Sequence, residues 1–324
     1  MEKFRYKPII LVTGASTGVG RALADLFYQL PQFRTVATAR RSSLVSLKDH
    51  FKENDHFKLL ELDVVNNQSR FECLEQIRNS WGDVDILINN AGISYRSVVE
   101  HMSEEDEQHQ MHTNYFGPIA LIKEVVASMR EKGRGKIINV SSVSGMLAMP
   151  TMASYSASKH ALEGASEALW YEMKPFGINV SLIQPGFINS QSFQNVYFSE
   201  KARIAKQQVK GPYSDYYQHM GPFIEKLMKF SWTTPNKVAR KILWVIGKEN
   251  PPLWVPATPD AVIFYFLRRL VPRRWLMPIL FYFLPGSDFW ALRHTRRRDL
   301  IGNFNRKRAK KKQIIEDTRK RDNN

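Results

Sequence analysis

Tyr155 and Lys159 stand four residues apart in the stretch Y-S-A-S-K, so on a helix a phenol and an ammonium share one face, one turn apart. A free phenol titrates at about pH 10, too high for ready proton exchange near neutrality, and a nearby cation favours the phenolate. The pair could therefore pass a proton to an oxygen atom that is gaining negative charge, such as a carbonyl oxygen attacked by hydride. Spacing alone does not single it out. In a chain with 12 tyrosines the same pattern recurs in Y-F-S-E-K, at Tyr197 and Lys201. The distinction has to come from the elements around each pair.

Those elements alternate. The β-rich runs P-I-I-L-V-T, R-T-V-A-T-A, F-K-L-L-E-L, V-D-I-L-I-N, K-I-I-N-V-S and I-N-V-S-L-I, with a last one near P-L-W-V-P, are separated by segments of helical apolar spacing. R-A-L-A-D-L-F-Y-Q-L and P-I-A-L-I-K-E-V-V-A-S-M-R are two such segments. The expected fold is α/β, a doubly wound parallel sheet with helices on both faces. At 324 residues and 43% hydrophobic, the chain can bury a core of that size. Between residues 190 and 234 the rhythm lapses. This reads as an irregular insertion after the sixth strand, on the carboxyl side of the sheet where ligands bind, and is a candidate substrate lid. Y-S-A-S-K then lies on the helix after the fifth strand, whereas Y-F-S-E-K lies in the insertion, where its pairing is expected to be incidental.

T-G-A-S-T-G-V-G, residues 13–20, follows the first strand and opens a helix. Glycines there permit a tight turn and close backbone approach, and the helix N-terminus favours a pyrophosphate. Gly14, Ser16, Thr17, Gly18, Val19 and Gly20 are the candidate contacts, which points to a Rossmann-type dinucleotide site. At the end of the second strand Ala39 takes the place where an acidic residue would hold an adenosine ribose, and Arg40 and Arg41 follow. A guanidinium suits a 2′-phosphate, so NADP(H) is the expected cofactor; the alternative is that both arginines are solvated surface charge. Asp63, after the third strand, could accept from the adenine amino group or could cap a helix.

The ordered motifs are T-G-A-S-T-G-V-G, N-N-A-G at 89–92, N-Y-F-G from Asn114, S-S-V-S-G with Ser142, Y-S-A-S-K, and P-G at Pro185 and Gly186. In that order the chain resembles the short-chain dehydrogenase/reductase family over about residues 8–258. The A-T-A-R-R stretch and the 13-residue step from Ser142 to Tyr155 look most like the branch of estradiol-type 17β-hydroxysteroid dehydrogenases and photoreceptor-type retinol dehydrogenases. The resemblance implies that Tyr155 is the general acid in reduction and the base in oxidation, and that Lys159 also holds the nicotinamide ribose. It selects Ser142 over Ser141 as the hydroxyl facing the substrate carbonyl. Asn114 would complete a proton relay through water, with a polar contact inside its helix as the alternative. Asn90, Ala91 and Gly92 would lie against the cofactor, Asn90 with a partly structural role. Pro185 and Gly186 would lie beside the nicotinamide, with Ile188 and Ser190 at its carboxamide and phosphate; Ser190 replaces the commoner Thr. Relatives commonly pair through the helices around Asn114 and Tyr155, so a homodimer is expected.

The net charge of +16 is unevenly placed: residues 260–324 hold 17 basic and 6 acidic side chains, a net of +11, leaving +5 for the first 259 residues. This end, residues 259–324, reads as a helical, aromatic and basic extension of the 1–258 domain. Its apolar runs, 261–267 and 275–284, are far short of the roughly 20 residues that span a bilayer. Aromatics broken by paired arginines suit an anionic membrane interface instead. The alternatives are a cover for an apolar patch and an oligomer interface. The basic runs 296–298 and 306–312 come with no base-reading motif, so nucleic acid is not an expected partner. The last dozen residues are expected to be solvated and disordered. The N-terminus lacks a signal-peptide pattern, and with a single cysteine, Cys73, the chain is expected in the cytoplasm, with no internal disulfide and no cysteine zinc site.

The expected activity is NADP(H)-dependent interconversion of a ketone or aldehyde with an alcohol. Phe187, Phe193, Tyr197, Phe198 and the extension make the expected substrate apolar: a steroid, a retinoid or a keto-lipid. The rival is an idle relative that binds cofactor and acts through its tail; loss of catalytic residues would favour it, yet Asn114, Ser142, Tyr155 and Lys159 all stand.

Overall fold

In a computed structural model of the chain, residues 6–190, 196–208, 211–287 and 290 are described. The apolar runs become β1 (Ile9–Val12), β2 (Arg34–Ala39), β3 (Phe57–Glu61), β4 (Ile86–Asn89), β5 (Gly135–Val140), β6 (Ile178–Gln184) and β7 (Trp254–Pro256). They form one parallel seven-stranded sheet in the order β3-β2-β1-β4-β5-β6-β7. The order reverses between β1 and β4, the place where sheets of this kind open a crevice at their carboxyl ends.

Parallel strands need crossovers, so helices cover both faces of the sheet. β1 shows this residue by residue. Ile9 and Leu11 pack with Val36, Leu87, Ile137 and Val180 on one face, while Ile10 and Val12 pack with Ile86, Ile88, Ile138 and Ile183 on the other. Helix α3 (Asn67–Ser80) covers the first face through Cys73, Leu74 and Ile77, and α5 (Gly117–Glu131) through Leu121, Ile122, Val125 and Met129. Helix α1 (Gly18–Tyr28) covers the second through Ala22, Leu23 and Phe27, and α9 (Pro235–Ile246) through Val238, Ile242 and Val245. Cys73 is a buried filler whose thiol is pushed up to about 12 by burial.

Helix α6 (Ala153–Met173) packs differently. It buries Ser154, Ser156, Ser158, Lys159, Glu163 and Ser166. Polar groups stay in a core only where hydrogen bonds replace water. The hydroxyls of Ser158 and Ser166 donate to the carbonyls of Tyr155 and Leu162 at 2.7 Å each. Asn139 on β5 donates to Ser166 Oγ at 2.9 Å, and Asn89 on β4 donates to Asn139 Oδ1 at 2.9 Å. Directional bonds therefore fix the helix of Tyr155 and Lys159 against the sheet.

The insertion is not irregular, as the lapsed rhythm predicts. Its described part holds α7 (Glu200–Gln207), capped by Ser199 at 3.2 Å from the Ala202 N–H, and α8 (Ser214–Phe230). Helix α7 buries only Ala202 and Ala205, and α8 turns Tyr217, Met220 and Ile224 inward around an internal Pro222. So few apolar anchors, with a proline among them, leave little periodic signal to read.

Helix α10 (Pro259–Leu270) begins against the exit of β6. Thr258 Oγ1 accepts from the N–H of Ala261 at 3.3 Å and of Gly186 at 2.9 Å. Asp260 Oδ2 accepts from the Phe187 N–H at 2.9 Å. Helix α10 exposes Val262, Ile263, Phe266 and Leu270, and the following α11 (Arg273–Phe283) exposes Trp275, Met277, Ile279, Phe281, Tyr282 and Phe283. Among the described residues no helix is long and apolar enough to cross a membrane. The basic runs 296–298 and 306–312 and the last dozen residues lie outside the described residues. Asp260→Ala leaves the Phe187 N–H without its acceptor and is expected to cost about 1–3 kcal/mol in urea unfolding. Glu225→Ala, which breaks the exposed Glu225–Lys229 pair, should change stability by under about 1 kcal/mol; equal costs would refute the anchoring role of Asp260.

Candidate active site

The loop after β1 is tied to the end of β4. Thr13 Oγ1 accepts from the N–H groups of Asn90 and Ala91, both at 3.0 Å, and Asn90 Nδ2 donates to the carbonyls of Thr13 at 3.0 Å and Gly14 at 3.1 Å. Gly14 has φ +68°, and a Cβ there would lie 2.7 Å from Ala91 Cα; at Gly20 a Cβ would lie 2.0 Å from Gly14 O. Only glycine lets the two segments approach so closely. Gly20 packs directly beneath the loop and does not itself line the cavity described next. Thr17, the N-cap of α1, spends no side-chain bond on its helix.

Gly14, Ser16, Thr17, Gly18 and Val19 line a cavity of about 750 Å³, together with Asn90, Ala91, Gly92, Pro185, Gly186, Ile188 and Ser190. Arg40, the N-cap of α2 (Arg41–His50), lines it too, whereas Arg41 turns to Glu61 at 2.9 Å. Asp63 lines the cavity and accepts from the Val65 N–H at 3.1 Å. The N-cap of α3 is Asn66, so the capping alternative for Asp63 falls away. The helix N-terminus with the Ser16 and Thr17 hydroxyls, the Arg40 guanidinium and the Asp63 carboxylate along a single groove fit the pyrophosphate, phosphate and adenine of a dinucleotide.

Ser142, Tyr155 and Lys159 line the same cavity. The Ser142 hydroxyl accepts from the Ser144 N–H at 3.1 Å and acts on the Tyr155 phenol, favouring its ionised form. Ser141 instead donates to Glu163 Oε1 at 2.7 Å, so the two serines face different partners. Lys159 Nζ donates to the Val140 carbonyl at 2.8 Å and lies 5.9 Å from the centre of the Tyr155 ring. Burial pushes the Lys159 ammonium down to about 8, against the pull of the Glu163 carboxylate one turn on. Burial likewise raises the Tyr155 phenol, opposed by the Ser142 hydroxyl and the Arg96 guanidinium. Arg96 thus enters a task that sequence spacing assigns to Lys159 alone.

Asn114 does not line the cavity. It is buried in a π-helical turn, His112–Phe116, a distortion frequent at functional sites. Its Oδ1 accepts from the Ile93 N–H at 2.9 Å, and its Nδ2 donates to the Ile93 carbonyl at 2.9 Å and Ser158 Oγ at 3.0 Å. These bonds make it a positioning residue, close to the polar-contact alternative.

Beyond Tyr155 the cavity is walled by Met149, Met152, Phe187, Ile224 and Met228, a cluster that Leu284 and Trp290 complete. Tyr197 also lines it, 5.2 Å from the Tyr95 ring, so this residue is part of the wall even though its spacing from Lys201 is a coincidence. Phe198 packs instead with Val98, Ala202 and Tyr217. Phe193 lies outside the described residues. Sequence reading overlooked Thr13, Arg96 and Glu163. Thr13 opens the glycine loop and was there to be weighed; Arg96 and Glu163 carry no spacing signal, because only the folded chain brings them to Tyr155 and Ser141.

The sequence model of the family described as short chain dehydrogenase matches residues 8–201. A 3-ketodihydrosphingosine reductase of Bacteroides thetaiotaomicron is 36% identical over 258 residues, 79% of this chain and 90% of that protein. A dehydrogenase/reductase SDR family protein 7-like of Drosophila melanogaster is 34% identical over 289 residues, 85% of this chain and 82% of that one. A crystal structure of a short-chain dehydrogenase from Streptomyces avermitilis aligns with a TM-score of 0.71 at 31% identity, covering 84% of this chain and 96% of that chain. The matched residues hold the glycine loop, Ser142, Tyr155 and Lys159. The chain belongs to the short-chain dehydrogenase/reductase family, oxidoreductases of CH–OH and carbonyl groups that bind NAD(P)(H).

Proposed function

We propose that the protein is an NADP(H)-dependent oxidoreductase that interconverts a ketone or aldehyde with an alcohol on an apolar, lipid-like substrate. The observation that carries this reading is that Ser142, Tyr155 and Lys159 share one cavity with Arg40 and the residues 16–19 turn. A dinucleotide held by the 16–19 turn and Arg40 would provide the hydride for the carbonyl carbon. The chain's own residues handle the oxygen. The Tyr155 phenol gives it a proton, and the Ser142 hydroxyl donates a hydrogen bond to it as charge develops. The cations of Lys159 and Arg96 favour the phenolate left behind, and in oxidation Tyr155 takes the proton back. Asn114 fixes the backbone of Ile93 beside this centre. The methionine and phenylalanine walls exclude water and suit a hydrocarbon.

Arg40 beside Ala39 favours NADP(H), because a guanidinium matches a 2′-phosphate and no carboxylate repels it. Among steroids, retinoids and keto-lipids, the name of the Bacteroides relative favours a keto-lipid. The exposed apolar side chains of α10 and α11 stand beside the exposed Arg269, Arg273 and Arg274, a combination suited to an anionic membrane surface. Leu284, just past α11, packs into the cluster that walls the cavity, so lipid-borne substrate would be close at hand. Pairing of two copies through α5 and α6 is part of the same reading, and cytoplasmic residence with peripheral membrane contact is its setting.

Tyr155→Phe is expected to bind NADPH but to lose carbonyl reduction by roughly a hundredfold or more; unchanged turnover would remove Tyr155 from the mechanism. In the unaltered enzyme kcat/KM for reduction should fall as pH rises through about 8, where the buried Lys159 ammonium loses its proton, and a profile flat across that value would count against a charged Lys159. Fluorescence titration of Arg40→Asp should show NADPH weakened far more than NADH; equal weakening would reject the phosphate assignment. Joint replacement of Trp275, Phe281 and Phe283 by Ser should cut sedimentation with phosphatidylserine vesicles by roughly tenfold, and undiminished binding would refute the membrane reading.

A further inference from the structure

A second cavity, of about 330 Å³, lies between α6 and α10, within the size range of small-molecule pockets. Glu163, Gly164 and Glu167 line it from α6, Arg268 and Arg269 from the last turn of α10, and Trp254 from β7. Gly164 leaves room in it. A Cβ there would meet nothing within 4 Å, so the space opens over α6 itself, between the two carboxylates.

The charges on the two walls do not meet. Burial disfavours the charge of the half-buried Arg268, and the Glu163 and Glu167 carboxylates favour it, so the two signs act on each other across the cavity. Yet among the described residues none of these three side chains is in an ion pair, and Arg268 Nη1 donates to the Gly145 carbonyl at 2.9 Å. Glu163 Oε1 accepts from Ser141 at 2.7 Å and from Gln184 Nε2 at 2.8 Å, while its Oε2 takes no hydrogen bond among the described residues. Arg269 lies over the Tyr265 ring, 3.6 Å from its centre, and 5.2 Å from the centre of Trp254, so aromatic faces hold it in place of a carboxylate. A buried carboxylate and a half-buried guanidinium kept apart are costly. A ligand carrying both signs would satisfy the two walls at once, whereas a simple anion or cation would meet one partner and one opponent.

We propose that this cavity binds a small zwitterion, an ammonium and an acidic group on one short skeleton, with the ammonium on Glu163 Oε2 and Glu167 and the acidic group on Arg268. The site lies outside the cavity of Tyr155 and does not depend on the reductase reading.

The test is binding rather than turnover. Titration calorimetry with the full chain compares two zwitterions with their halves: β-alanine with propionate and propylammonium, and O-phosphoethanolamine with ethyl phosphate and ethylammonium. At least one zwitterion should bind roughly tenfold or more tightly than either of its halves, the preferred one identifying carboxylate or phosphate. Glu167→Gln and Arg268→Gln should each cut that advantage severalfold. Gly164→Leu puts a side chain into the open space, on a helix that accepts leucine better than glycine, and should abolish binding with every charge in place. Glu167 and Gly164 are exposed, so their variants decide the matter if Arg268→Gln does not fold. Equal affinities for the zwitterions and their halves overturn the proposal. So does an advantage that Gly164→Leu leaves intact, which would put the ligand elsewhere on the chain. No ligand here is a ketone, so failure leaves carbonyl reduction standing, and absence of reduction leaves the binding result standing.

Discussion

The Lys159 ammonium rests 2.8 Å from the carbonyl of Val140, the last residue of β5, and the reaction centre is arranged around that contact. A carbonyl at the end of a central strand cannot shift without the sheet, so the ammonium is fixed to the most rigid part of the molecule. Through α6 the phenol one turn earlier is fixed with it. The next residues of the chain, Ser141 and Ser142, alternate in direction, one to Glu163 and the other to Tyr155. Because all seven strands are parallel, the exits of β1, β4 and β6 share this edge, and their loops complete one groove.

Much of this was legible in the sequence, for a physical reason. Strands buried on both faces read as unbroken apolar runs, and loops that must lie flat on a neighbouring strand need glycine, so Gly14 stands out in the chain. The exceptions are residues whose partners are remote. Asn114 reads as polar on a helix, and only folding shows that its amide is engaged by Ile93 and Ser158. The helices of the insertion bury too few side chains to write a period into the chain. Gly20 belongs to the motif and packs beneath the loop. Arg96 follows N-N-A-G as an ordinary surface residue might, and its place beside Tyr155 is set by the backbone pairing with Tyr197, far away in sequence.

The site is also a place where stability is given up. Lys159 and Glu163 are buried one turn apart, burial lowering the affinity of the first for its proton and raising that of the second. For Lys159 the folded state binds its proton more weakly than the unfolded chain, whose lysine has an ordinary value of 10.5. Between about 8 and 10.5 the unfolded state therefore holds more protons, and this group's contribution to stability rises with pH across that window; below it the cost of the buried charge is fully present. A hydrocarbon pair would pack with less penalty and would move no proton.

The junction of β6 with α10 has a consequence for how this sequence can vary. A Cβ at Gly186 would lie 1.8 Å from Asp260 Oδ2, the same oxygen that accepts the Phe187 N–H. A side chain introduced first at 186 collides with the carboxylate, and loss of the carboxylate first strands the Phe187 amide. Neither single step is neutral, so the two positions form one heritable unit: a lineage that alters the turn beside the cofactor groove must alter the start of its C-terminal helix in the same stroke.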